Sequence, residues 1–141
     1  MSIDAVSARA RLAPGQAAGV TEAMIAEVVH GFYERVRADA ALGPVFDRVI
    51  APDAWPIHLQ RMCDFWSSVM LMTGRYKGAP MPAHVAIPEI SPALFARWLE
   101  LFSETTGEVC PPAARELFVA RAGMIARSLQ LGIAASRGEL P

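Results

Sequence analysis

Apolar positions recur every three or four residues along most of this chain, and nowhere do they alternate with a period of two. The first sustained stripe is Met24, Ile25, Val28, Val29, Phe32, Tyr33 and Val36. It predicts a helix opening at Thr21 as N-cap, with Glu22 in the first turn. Leu42-Gly43-Pro44 ends that region, and Val45, Phe46, Val49 and Ile50 form a short apolar turn. Trp55, Leu59, Met62, Phe65, Trp66, Val69 and Met70 make the second stripe, on a helix predicted over 53–73 with Asp53 as cap and Gly74 as stop. Residues 74–92 carry Gly74, Gly78, Pro80, Pro82, Pro88 and Pro92, which leaves room for a turn or two around 83–86. Ser91-Pro92 starts a third long helix, with Leu94, Phe95, Trp98, Leu99, Leu101 and Phe102 on its stripe. Pro111-Pro112 opens the last, which fades near Gly132. The pattern is all-α, with four substantial helices and one broken segment before the third.

Composition narrows the picture. At 141 residues the chain is one domain, and its 53% apolar content excludes disorder. Charged residues reach only 19%, below the usual ~25%, so some apolar surface faces something other than water or itself. Thirteen basic against fourteen acidic residues leave a net charge of −1, with no footprint for nucleic acid. No apolar run reaches the length of a membrane span, and Asp4, Arg9 and Arg11 interrupt any secretory signal. Cys63 and Cys110 are too few for a disulfide scaffold. The expectation is a soluble cytoplasmic domain without a membrane partner.

Chemistry must then come from three histidines. His30 lies at the margin of its stripe and reads as solvated. His58 precedes Met62, Phe65, Trp66 and Val69 on one helix face, so it is either a core histidine bonded to a carbonyl or a polar group set into an apolar pocket. His84 sits in a proline-framed segment, as a surface loop residue or as the wall of a cleft opposite His58. Zinc needs a cluster of ligands that His58, Cys63 and Cys110 do not make. Covalent haem attachment needs C-x-x-C-H, and phosphate loops need runs of glycine; neither occurs. A non-covalent haem needs one imidazole, a wide apolar slot and cations near its propionates, and all three are present.

The runs Phe32-Tyr33-Glu34-Arg35-Val36-Arg37 and Leu42-Gly43-Pro44-Val45-Phe46, followed by His58, Phe65-Trp66, Gly74-Arg75-Tyr76-Lys77-Gly78 and Pro82-x-His84, resemble the truncated haemoglobins of group III. The likeness covers about residues 20–132, leaving a loosely ordered leader over 1–19 and a tail over 133–141. It implies a truncated globin fold, a helical sandwich around a b-type haem, with His84 as proximal iron ligand. It further implies a distal side made by Tyr33, His58 and Trp98, with Phe46 and Met62 against the haem and Arg61 and Tyr76 near its propionates. The activity so implied is reversible binding of a diatomic gas, O₂, NO or CO. Two rivals stand beside it. One is a haem redox enzyme, an NO dioxygenase or peroxidase-like protein served by an external reductase; the other is a haem-free helical interaction module.

Overall fold

The computed structural model describes residues 13–80, 84 and 87–138. Within them the chain forms α1 (Pro14–Ala17), α2 (Glu22–Ala38), α3 (Gly43–Val49), a 3₁₀ turn (Pro52–Ala54), α4 (Trp55–Leu71), α5 (Pro92–Val109) and α6 (Pro112–Ser136). No strand occurs among the described residues. Of the turn expected around 83–86, His84 is helical and Ala83, Val85 and Ala86 lie outside the described residues.

Two helices start as their sequences dictate. Thr21 Oγ1 accepts the Met24 N–H at 3.1 Å, and Ser91 Oγ accepts that of Leu94 at 3.3 Å, each satisfying an otherwise orphaned amide. The start of α4 differs from the expectation. Asp53 makes no cap; it lies in the 3₁₀ turn that leads into Trp55, and Pro56 in the first turn needs no amide partner. The end of α4 also comes early. Met72, not Gly74, takes the first left-handed conformation, at φ 57°, which costs a side-chain-bearing residue roughly 1–2 kcal/mol. A chain of polar contacts offsets this: Thr73 donates to Ser67 Oγ at 2.8 Å, Ser67 donates to Glu22 at 2.9 Å, and Glu22 pairs with Arg75 at 2.6 Å.

Helix α2 packs across α4 and α5, and α5 packs along α6. At their junction Phe102 is sandwiched between two indoles, Trp66 at 5.1 Å and Trp98 at 5.6 Å, both near-parallel. Phe32 meets Trp98 and Phe102 edge-on, and Phe118 closes the far side of the stack. Such pairs add about 0.5–1.5 kcal/mol each beyond area burial, so this column fixes how the four helices cross. Between α2 and α3, the Asp39 carboxylate accepts the Ala41 and Leu42 amides and the Arg97 guanidinium, at 2.8–3.1 Å. That places Trp98, one residue further along α5, over the core.

The ends of the chain are more structured than their sequence suggests. In the leader, residues 1–12 lie outside the described part, but Ala13 and Gly15 are buried against α4. A side chain at Gly15 would put its Cβ 2.6 Å from the Met70 carbonyl oxygen, so α1 can sit this close only with glycine there. At the other end α6 runs past Gly132 to Ser136 because Ile133 continues its buried row; residues 139–141 lie outside the described part. By length and composition alone α6 could cross a membrane. One row of it, Ala114, Phe118, Ala122, Ala126, Leu129 and Ile133, is buried in the fold, while Met124 and Leu131 on its outer side are exposed.

Candidate haem pocket

A cavity of about 300 Å³ opens between α2, α3, α4, α5, α6 and the segment around His84. Its wall is almost wholly apolar, with Phe46 and Val49 from α3, Ile50 just after it, Met62 and Phe65 from α4, and Ile125 and Leu129 from α6. Into this wall are set the side chains of Tyr33, His58, Tyr76, His84 and Trp98. Seven of the eight residues assigned from the sequence, Tyr33, Phe46, His58, Met62, Tyr76, His84 and Trp98, therefore meet around one space. Arg61 does not: it is exposed on α4, one turn beyond His58, and outside the lining.

Each polar group has a defined state. His84 Nδ1 lies 2.6 Å from the Pro80 carbonyl oxygen. A carbonyl only accepts, so Nδ1 carries the proton, and in the neutral ring Nε2 keeps a free lone pair. This is the tautomer a metal ligand needs, and the carbonyl fixes the ring's rotation as well. Tyr33 is 8% exposed and ringed by Phe32, Phe46, Trp55 and His58 at 5.0–5.9 Å, all nearly edge-on. Burial pushes its hydroxyl far above the usual phenol range, so it remains a proton donor. No described residue accepts from it.

His58 is the sharper anomaly. Its Nε2 is buried with no hydrogen-bond partner among the described residues. Burial holds its basicity below the ordinary imidazole value, and the nearby charge of Arg61 and then His84 lower it further. A neutral imidazole aimed into an apolar wall, facing another imidazole, is costly unless something occupies the space between. Tyr76 is fixed differently. Its amide donates to Ser68 Oγ at 2.9 Å, its ring meets Phe65 edge-on at 5.2 Å, and its hydroxyl lies over Gly78, where a Cβ would come within 2.5 Å.

Sequence reasoning missed part of what builds this site. Trp55 is 3% exposed, packs against both Tyr33 and His58, and takes the Arg37 guanidinium over its outer face at 4.4 Å. Its stripe position marked it as core, and only the fold shows that it braces two cavity residues. Ile125 and Leu129 carried an equally clear helical period with nothing local to separate cavity from core.

No protein-family model matches the chain. The curated group 3 truncated hemoglobin of Campylobacter jejuni is 33% identical over 113 residues, covering 79% of this chain and 89% of that protein. The chain belongs to the group III truncated haemoglobins. A crystal structure of a group III truncated hemoglobin from Campylobacter jejuni superposes with a TM-score of 0.77, at 32% identity over 81% of this chain and 91% of that one. The all-α truncated globin fold is thus shared, and membership makes this a globin-type haem-binding protein. The residues present fit such a group. A flat apolar cofactor would match the aromatic and aliphatic wall, His84 Nε2 would offer a ligating lone pair, and Tyr33 and the unpartnered His58 Nε2 line the same cavity.

Proposed function

We propose that the cavity holds a b-type haem without a covalent link, that His84 Nε2 ligates its iron, and that the protein binds diatomic gas reversibly, O₂ foremost and NO or CO by the same route. The observation that carries this reading is the His84 Nδ1 bond to the Pro80 carbonyl, which leaves the ligating nitrogen bare and fixed on the cavity wall. When bound, the haem supplies an iron to which a gas attaches and electron density that turns the gas into a hydrogen-bond acceptor. The protein supplies the rest. Tyr33 and the Trp98 indole present donors, while neutral His58 donates or accepts according to its tautomer. Phe46 and Met62 exclude water from the apolar faces, and Tyr76 serves the carboxylate edge. With several donors converging on a small acceptor, release is slow, which favours gas sensing or chemistry on retained gas over free unloading.

Purified protein is expected to show a Soret band, and His84→Gly to lose most haem or to recover a wild-type-like spectrum when imidazole is added. Normal haem content and an unchanged spectrum in His84→Gly would refute the assignment.

A further inference from the structure

The segment that follows His84 is held in place from the far end of the chain. Arg137, in the stretch expected to be a tail, reaches back from the end of α6. Its Nη1 donates to the Ile90 carbonyl at 2.9 Å, and its Nη2 to the carbonyls of Ile87 at 3.1 Å and Pro88 at 3.3 Å. One guanidinium thus satisfies three backbone acceptors within four residues. The same segment is tied on its other side by the Glu89–Arg48 ion pair, which runs to α3.

We propose that Arg137 is a positioning residue for the proximal histidine, setting through the 87–90 carbonyls where His84 stands. A continuous run of hydrogen bonds carries the connection. The Ile87 N–H donates to the His84 carbonyl at 3.1 Å, and Ile87's own carbonyl accepts from Arg137. At the ring itself, His84 Nδ1 is tied to the Pro80 carbonyl. His84 is therefore held at its ring by the Pro80 carbonyl and at its backbone carbonyl by Ile87, the residue whose own carbonyl is bonded to a cation. Ile87 and Ile90 also line the cavity, so whatever fixes their backbone also fixes part of the wall below the ring. A guanidinium suits this role. Its planar fork reaches several acceptors at once, whereas a lysine ammonium acts as a single compact charge. Helix α6 contributes too: Leu129 and Ile133 are buried ahead of Arg137, so the fork projects from an anchored helix end.

This inference rests on His84 being the iron ligand, and the test separates the two. In ferrous, ligand-free holoprotein, resonance Raman reads the iron–histidine stretching band, and transfer of haem to an excess of an apo-globin acceptor reads the rate of haem loss. Arg137→Ala is expected to shift or broaden that band and to speed haem loss about tenfold, as for the loss of a charge-assisted bond. Arg137→Lys is expected to restore part of both. Melting of the apoprotein should change little, since Arg137 is exposed and closes no core contact. If band and haem-loss rate in Arg137→Ala equal those of the wild type, the inference fails while His84 keeps its role. A lowered apoprotein melting point with an unmoved band also overturns it, by reducing Arg137 to general support. If His84→Gly keeps the band, the ligand assignment itself falls.

Discussion

Replacing Tyr33 by Phe removes one oxygen atom from a ring held on four sides. The edge contacts with Phe32, Phe46, Trp55 and His58 all involve the ring and survive the change. The hydroxyl lines the cavity and no described residue accepts from it, so in the apoprotein the change costs no bond to a described residue. Apo Tyr33→Phe should therefore be as stable as the wild type. The liganded protein behaves differently, because there the hydroxyl has a polar acceptor. Losing a hydrogen bond of about 1.5–3 kcal/mol to a charged acceptor raises the dissociation rate roughly ten- to a hundredfold. Carbon monoxide is a much poorer acceptor, so its escape should change far less. Stopped-flow displacement of O₂ by CO, and of CO by NO, measures both rates on one preparation. Equal factors for the two gases would mean that the ring gates space rather than donates a proton. A fall in apoprotein stability would show that the hydroxyl has a protein partner after all.

Further expectations follow from other parts of the pocket. His58→Ala should change gas entry more than gas escape, since Tyr33 and Trp98 already supply donors; flash photolysis showing the reverse would make His58 a primary stabiliser. Removing haem should lower the melting temperature, because a ligand that binds only the folded state stabilises by mass action; equal melting of apo and holo forms in calorimetry would contradict a buried cofactor. Asp39 has its acidity strengthened first by the Leu42 amide and then by Arg97, which hold its pKa below the ordinary 3.8. Its contribution to stability is complete above that value and is lost as pH falls through the lower folded value. Asp39→Ala should thus be less stable near neutrality, with the deficit shrinking in acid; a pH-independent deficit in denaturant titrations would rule out the charge as its source.

The four long helices could be read in the chain because each combines an uninterrupted apolar stripe with local punctuation, as Thr21 and Ser91 show. The places where reading and structure part company all depend on partners distant in sequence. Asp53 has the chemistry of a cap, but the prolines at 52 and 56 direct the chain into a 3₁₀ turn instead. Gly74 is the conventional stop, yet the Glu22–Ser67–Thr73 contacts bring the left-handed turn forward to Met72. Gly15 falls in the stretch expected to be a loosely ordered leader, yet it is a seat against Met70. The candidate site shows the same division. Tyr33, His58 and His84 could be singled out because polar groups on apolar stripes are anomalies in one dimension. Trp55 and Arg137 could not, since a tryptophan in a stripe and an arginine near a terminus are ordinary until the chain is folded. Arg61 stands apart: its type and position fitted a role that its exposure does not bring to the cavity wall.

The aromatic column through the core has an optical consequence. The chain's three tryptophans are Trp55, Trp66 and Trp98, and the latter two line the cavity while Trp55 stands directly behind Tyr33 and His58. Every indole is thus adjacent to the space assigned to a chromophore that absorbs where indoles emit. Energy transfer over such short separations is nearly complete, so the filled protein should be almost dark in tryptophan emission and the emptied one bright. Occupancy of the pocket can then be followed by native fluorescence, in real time and without a label. Because none of the three lies at a remote surface, the dim signal of a filled sample carries no steady background from a distant reporter.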